Sequence, residues 1–198
     1  MDATSESRAA YTQLTWTPDI LEDRLAVTVG ARYTEDERDA TRDYTVGGFV
    51  IDANAVNEKE FNRTTPSLTL AYAFSDTINA YARAASGYRA GGSSESASDF
   101  SRTFGPETLD TCEIGVKAEW FDQRLRTNLA LFTSDYNDIQ FDVSPDLNDV
   151  TITQTFNAGE AVINGLELDV VAAITDDLTL TVGYALLDTE VKEVSSTT

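Results

Sequence analysis

The sequence predicts an all-β fold in which about eight antiparallel strands cross a membrane as part of a β-barrel. Apolar and polar residues alternate with period two along about eight segments, as expected when the two faces of a strand meet different surroundings. Four short connections alternate with loops far longer than those of a compact domain. Aromatic residues stand beside three of the four short connections, like the girdles of membrane barrels.

The length of these segments indicates which solvent meets the apolar faces. A strand that spans a membrane needs about 9–11 residues, and the alternating segments reach about ten or more. A soluble β-sandwich with shorter strands is the alternative. Because hydrocarbon cannot satisfy a free strand edge, spanning strands must belong to a closed sheet.

The first half of the chain is predicted to hold four strands and a long loop. The first strand places Leu14 and Trp16 on one face, and the second alternates almost without fault. From residue 35 to about 62 the pattern dissolves into charged and small residues, which predicts a polar loop. The predicted strands are residues 9–16, 25–34, 64–74 and 78–88.

The second half contains the clearest hairpin, PETLDTCEIGVKAEWFDQRLRTNLALFTSDYNDIQ at residues 106–140. Its first arm puts Ile114 and Trp120 on one apolar face, its second arm puts Leu129 there, and FDQR joins the two. Two more strands are predicted at residues 152–174, with an irregularity at 157–159, and at 178–186. Nothing after Glu190 resembles a strand.

The charge of the chain limits its partners. A formal net charge of −20 argues against nucleic acid, whose phosphates require basic surface. The sequence has no histidine, so the usual base of outer-membrane hydrolases and the commonest transition-metal ligand are missing. An acidic loop with Asp142, Asp146, Asn148 and Asp149 lacks the spacing and glycine of a calcium loop. We therefore expect no catalytic residues, no metal site and no cofactor.

Several stretches carry a resemblance to a known family. The hairpin at residues 106–140, followed by NAGEAVINGLELDV, resembles the barrel of TonB-dependent outer-membrane receptors. The earlier stretches LAVTVGARYT and TPSLTLAYAFSDTINAYARAASGYRAGG are similar to preceding strands of that barrel. The resemblance runs from about Ala9 to Glu190.

The resemblance implies a barrel of about twenty-two strands that is filled by an N-terminal plug and powered through TonB. It implies the outer membrane of a Gram-negative bacterium, contact with its lipid, and active uptake of iron complexes such as ferric siderophores. No plug, TonB-contacting segment, signal peptide or closing aromatic strand is recognised. Residues 1–198 are therefore interpreted as a partial barrel domain that would meet the TonB complex through a plug outside this sequence.

Receptors of this family bind cargo between the plug and the long outer loops, so candidate ligand contacts are basic or aromatic residues near loop ends. An anionic, aromatic iron complex would find charge and stacking surface there. The alternative is that inward arginines pair with carboxylates such as Glu113 while tyrosines cap strand ends. The candidates are Arg32, Arg83, Tyr88, Arg89 and Tyr136.

Trp16, Phe74 and Trp120 are expected at the membrane interface on the short-turn side, with core packing as the alternative. Two alternatives to a receptor for iron complexes stay open. The chain could be a self-contained eight-stranded barrel with a structural or adhesion role, or part of a receptor for vitamin B12 or an oligosaccharide. A small closed barrel is disfavoured because a lumen of Gly, Ala and Thr would be poorly filled.

Overall fold

A computed structural model describes residues 2–94, 100–144 and 153–193. Their secondary structure is nearly all β, with one 3-10 turn at Ile20–Asp23. No helix among these residues is long and apolar enough to cross a membrane. The strands are β1 (Asp2–Trp16), β2 (Leu25–Val46), β3 (Phe49–Ala73), β4 (Ile78–Arg89), β5 (Gly92–Ser93), β6 (Thr103–Phe104), β7 (Glu107–Trp120), β8 (Leu125–Asn137), β9 (Gln140–Val143), β10 (Gln154–Asn157), β11 (Glu160–Ala173) and β12 (Thr179–Glu193).

Eight long strands form one antiparallel sheet in the order β1-β2-β3-β4-β7-β8-β11-β12. Each neighbour in the sheet is the next long strand along the chain, so the sheet is a simple meander. The remaining strands form two small hairpins, β5 with β6 and β9 with β10, at the ends of long connections. Within the described residues no pairing joins β1 to β12, and the sheet is open there.

The register gives the sheet one apolar and one polar face. One row crosses all eight strands with apolar side chains: Trp16, Val27, Leu70, Ala82, Ile114, Leu131, Leu166 and Leu186. The adjacent row, on the other face, is largely polar or small: Thr15, Thr28, Thr69, Arg83, Glu113, Phe132, Gly165 and Leu187. Such a sheet separates two solvents, as expected when one face meets lipid and the other a polar lumen.

Two aromatic rings on the polar face pack over glycines of the neighbouring strand. A methyl group added at Gly115 would lie 2.6 Å from the Tyr81 ring, and one at Gly165 would lie 2.2 Å from Phe132. The glycines therefore leave room for rings that lie flat on the sheet. The sequence predicted a lumen lined by Gly, Ala and Thr with few bulky side chains. This prediction is partly wrong, because the two rings fill space that the small residues leave.

Four tight connections lie at one end of the sheet, where they were predicted. In the connections after Trp16 and Trp120, three consecutive non-glycine residues have φ between 52° and 66°. This left-handed conformation is sterically unfavourable for side-chain-bearing residues. The connection after Phe74 is closed instead by Ser75, whose hydroxyl accepts hydrogen bonds from the backbone N–H groups of Thr77 and Ile78.

The expected polar loop at residues 35–62 is wrong. β2 and β3 stay paired through this segment, from Glu35 opposite Asn62 to Val46 opposite Phe49, and turn at Gly47 and Gly48. β1 accompanies them and begins at Asp2, seven positions before the predicted start. Along this extension every second side chain of β2 turns inward, and Asp36, Ala40 and Arg42 are buried. Because these residues are charged or small, the apolar alternation that predicts a strand is missing here.

β4 separates from β3 beyond the pair Ser67 and Ala85 but stays paired with β7 as far as Arg89. The small hairpins and their connections lie at this long-loop end. The predicted strand at residues 152–174 is two strands: residue 152 lies outside the described part, and β10 and β11 belong to different sheets. Its expected irregularity is the break at Gly159, where φ is 124°.

Candidate functional site

A cleft of about 270 Å³ opens at the long-loop end of the sheet, and we call it the outer cleft. One side comes from the paired extensions of β1 and β2, which contribute Thr4 and Arg38. The opposite side comes from the end of β4, the β5–β6 hairpin and the start of β9, with Arg89, Phe104 and Gln140. Two arginines and the acidic residue Asp39 therefore border one concave surface.

Glu107, at the start of β7, anchors the side of the cleft that carries Arg89. The residue is only 4% exposed, and its carboxylate accepts hydrogen bonds from three strands. Oε1 accepts from the Tyr136 hydroxyl at 2.7 Å and from Arg89 Nη1 at 3.4 Å, and Oε2 accepts from the Gln140 backbone N–H at 2.8 Å. Burial, followed by the hydrogen bond to Glu107, raises the pKa of Tyr136.

Gln140 extends this network into the cleft wall. Its Nε2 donates to the carbonyl oxygens of Ala90 and Gly105, each at 3.0 Å. Asn157 adds a donor to the Gly105 carbonyl at 3.0 Å and accepts from the Gly105 N–H at 2.5 Å. The side-chain amides of β9 and β10 thus join the connections that follow β4 and β6.

Gly91 lies where two connections touch. A Cβ at this position would be 2.2 Å from the Phe104 carbonyl oxygen and 2.8 Å from a carbon of the Phe61 ring. A backbone carbonyl cannot yield as a flexible side chain can. Only glycine therefore allows the chain after β4 to pass this close to β6 and to the β3 extension.

The β2–β3 extension is held against the cleft region by a buried aromatic residue. Phe100 is 3% exposed, and Cζ of Arg42 lies 4.8 Å from the centroid of its ring. Asn57 Nδ2 donates to the Phe100 carbonyl at 3.0 Å. This cation–π and hydrogen-bonded contact ties the extension to the connection between β5 and β6.

Tyr88 lies where β3 and β4 separate, beyond the segment in which the apolar rows run from Trp120 to Cys112. Its hydroxyl is buried and makes no hydrogen bond within the described residues, although the nearby Asp36 carboxylate influences it electrostatically. Burial, with a contribution from Asp36, raises the pKa of Tyr88 to about 12. Asp36 is itself 6% exposed and is flanked by Arg38, whose Nη2 is 3.8 Å from Asp36 Oδ1.

The structure brings together two of the five predicted ligand residues, Arg89 and Tyr136, through Glu107. Arg32 lies apart from them on β2, where its Nε donates to the Thr34 hydroxyl at 3.2 Å. Arg83 lies lower on the polar face, beside Glu113, in a depression of about 410 Å³ that Tyr81 and other residues line. Tyr81 donates to Glu113 at 2.7 Å, so this carboxylate already has a partner.

The three predicted interface aromatics lie exposed at the short-turn end. Trp16 and Trp120 end β1 and β7 on the apolar face, and Trp120 Nε1 donates to the Thr127 hydroxyl at 3.0 Å. Phe74 follows β3 and packs edge-on against Tyr72, with ring centroids 4.9 Å apart. Phe121, 76% exposed in the neighbouring turn, is a further aromatic at this end that the sequence reasoning did not select.

Within the described ranges no group of three His, Cys, Asp or Glu side chains is arranged to hold a metal ion. Of the acidic loop considered from sequence, Asp142 is described, and its carboxylate accepts from the Thr155 hydroxyl at 2.5 Å. Asp146, Asn148 and Asp149 lie outside the described residues.

Three residues that organise the outer cleft were missed. Arg38 lies in the segment expected to be a loop, so no face could be assigned to it. Glu107 was passed over because its burial depends on residues 29 and 33 positions away in sequence. The sequence offered one weak signal for Glu107. It lies two residues before Leu109, where the inward-facing residues of β7 begin. Gln140 was taken as the end of the hairpin.

Comparison with known proteins gives consistent relatives. The Probable TonB-dependent siderophore receptor PiuA of Acinetobacter baumannii is 28% identical over 196 residues, covering 96% of this chain and 24% of the relative. The ferric-pyoverdine M114 receptor PbuA of a Pseudomonas strain is 26% identical, covering 90% and 21%. The chain thus spans about a quarter of the length of these curated relatives.

Structural comparison agrees with the fold. The ferric yersiniabactin uptake receptor FyuA of Yersinia pestis superposes with a TM-score of 0.77 at 22% identity, over 96% of this chain and 28% of that protein. The family model described as TonB dependent receptor-like, beta-barrel matches residues 1–198. The alternating faces, the tight turns at one end and this match along the whole sequence agree, and the chain belongs to the TonB-dependent receptor-like β-barrel family.

Proposed function

We propose that this chain is part of the barrel of an outer-membrane receptor that takes up ferric siderophores or similar iron complexes with energy delivered through TonB. The observation that carries the proposal is the outer cleft, which lies at the long-loop end and is bordered by Arg38 and Arg89. The relatives PiuA and PbuA and the structural neighbour FyuA are named as receptors for siderophores or ferric siderophores, which supports the cargo class. Residues 1–198 are a partial barrel domain in this proposal, and the plug and remaining strands lie elsewhere in a longer protein.

The outer cleft is slightly smaller than a typical complete site for a small molecule. Small-molecule sites usually enclose about 300–1,000 Å³, and the outer cleft of about 270 Å³ is open on one side. We infer that parts of the longer protein complete the site. The open sheet supports the same inference, because hydrocarbon cannot satisfy the edges of β1 and β12. A self-contained eight-stranded barrel would need these two strands to pair.

Arg89 is the ligand contact for which the structure offers most support. Its side chain is 71% exposed although one N–H group is engaged by Glu107, so most of its five donors remain available to an anionic cargo. Tyr136 supports Arg89 through Glu107 in this proposal, and Tyr88 precedes Arg89 on β4 without lining the cleft. Arg32 and Arg83 face the lumen below, where we place the contact with the plug or with cargo in transit.

The proposal includes no catalytic activity. The family is one of receptors, and the Gln140 side chain in the cleft wall is engaged in hydrogen bonds to the carbonyls of Ala90 and Gly105. Trp16, Phe74 and Trp120 would anchor the barrel at the inner interface of the outer membrane, with its lipid around the apolar rows.

The test is iron uptake by cells that lack their own siderophore receptors and express the whole receptor. We expect uptake of ⁵⁵Fe from ferric pyoverdine or ferric yersiniabactin, lost in cells without TonB. Arg89→Ala should lower uptake on the order of tenfold, because a charge-assisted contact is removed. Arg8→Ala is the matched control, since Arg8 is exposed and paired with Glu6 outside the cleft. Uptake of vitamin B12 or an oligosaccharide in place of both iron complexes would refute the assignment.

A further inference from the structure

We propose that Glu107 is a positioning residue of the outer cleft, which holds Arg89 and the wall formed by Gln140 in the arrangement that accepts cargo. The proposal rests on the function proposed above and concerns how the same site is built. Glu107 is not part of the cleft lining itself. It would act through the groups it binds.

The first argument is the number of strands that meet at this carboxylate. Glu107 belongs to β7, and its partners come from β4, β8 and β9, which are Arg89, Tyr136 and Gln140. Both oxygens are engaged, and the side chain is 5% exposed. An ionised carboxylate at such a depth is tolerated only when its lone pairs are satisfied, so the three donors and the anion stabilise one another.

The second argument is what lies beyond the partners. The Gln140 backbone donates to Glu107, and the Gln140 side chain donates to the carbonyls of Ala90 and Gly105. Ala90 and Gln140 line the outer cleft together with Arg89. The buried Glu107 carboxylate therefore fixes the position of the Gln140 wall and the orientation of the Arg89 guanidinium at the same time.

The third argument is entropic. An unrestrained arginine has many rotamers, and ordering it on binding costs conformational entropy. Holding one N–H group on Glu107 removes part of this cost before cargo arrives while leaving other donors exposed. Preorganisation of this kind raises affinity without adding a contact.

The experiment compares Glu107→Gln with Asp110→Asn in the whole receptor. Gln keeps the size of the side chain but presents an NH₂ group to donors, so one of the three contacts becomes donor against donor. Asp110 lies on the same strand and accepts a hydrogen bond from Ser86, outside the cleft lining. It controls for the loss of one carboxylate on β7.

Two readouts are measured on each variant in detergent. Amide hydrogen exchange follows residues 89–92 and 138–143, and equilibrium binding uses ferric pyoverdine or ferric yersiniabactin, whichever wild type binds. We expect Glu107→Gln to accelerate exchange in both segments and to weaken binding, each on the order of tenfold. Asp110→Asn should change neither. Arg89→Ala should weaken binding without accelerating exchange at 138–143. Because Glu107 acts partly through Arg89 and partly through Gln140, the double variant should lose less binding free energy than the two single variants combined.

The outcomes separate the two proposals. Faster exchange with unchanged binding would refute the positioning role and leave the receptor function standing. Unchanged exchange would refute the network itself. Additive losses in the double variant would show that Glu107 does not act through Arg89. A wild type that binds neither complex would refute the proposed function, and the positioning role with it.

Discussion

Replacing Leu129 by Arg tests whether the apolar rows face lipid. Leu129 lies on β8, in a row with Val116, Leu168 and Tyr184. It is four residues from Leu125 at the short turn, which corresponds to about 10 Å along the membrane normal for strands tilted by about 40°. The apolar band of such barrels is about 25 Å tall, so Leu129 lies near its middle. An arginine there should cost about 2–4 kcal/mol of folding free energy.

Asn128→Arg is the control because it introduces the same charge one residue away on the opposite face. Asn128 lies between Lys117 of β7 and Asp169 of β11, and the Asp169 carboxylate can pair with the new guanidinium. We expect a change within about 0.5 kcal/mol. Both variants of the whole receptor are refolded into lipid vesicles and unfolded with urea. Equal stability of the two variants would refute the assignment of faces, and wild-type stability of Leu129→Arg would refute it more directly.

Three further changes test other parts of the structure. Gly91→Ala should destabilise the long-loop end by about 1–3 kcal/mol, measured by hydrogen exchange, because its methyl group would meet the Phe104 carbonyl. Gly87→Ala is the control and should leave exchange nearly unchanged, because its methyl group would lie 3.5 Å from the nearest atom. Tyr136→Phe should cost about 1.5–3 kcal/mol in urea unfolding because Glu107 loses a donor, and wild-type stability would contradict this hydrogen bond. Residues 1–198 purified alone without detergent should aggregate in gel filtration, because the edges of β1 and β12 are unpaired, and a soluble monomer would instead favour a sandwich.

The fold class, the family and the outer-membrane localisation could all be predicted from the sequence, and each is confirmed. Alternation within the spanning segments is enforced by two different solvents, so it is visible in any one strand, as in Ile114 and Val116 on β7. The positions of the tight turns could also be predicted, because the apolar segments end there. The cargo class and the TonB partner remain proposals for the whole protein.

The outer part could not be predicted because its inward face is not apolar. Beyond Tyr33 the buried side chains of β2 are Asp36, Ala40 and Arg42, so the composition of the ladder does not distinguish it from a loop. Of the candidate ligand residues, Arg89 lines the cleft and Tyr136 is linked to it through Glu107, and their contact with cargo stays a prediction. Glu107, which unites them, depends on contacts between strands that are distant in sequence, and local patterns carry no information on such contacts.

The β2–β3 hairpin has two zones that should respond differently to insertions and deletions. Near the membrane, the loss of a single residue would turn every later side chain of the strand to the opposite face and present polar groups to lipid. From residue 43 to residue 51 the described side chains are exposed, so the same loss there changes only which groups meet water, and the turn at Gly47 and Gly48 can absorb it. Length variation between related receptors should therefore concentrate in the upper zone. The extension can change its height above the membrane while the spanning part keeps its length.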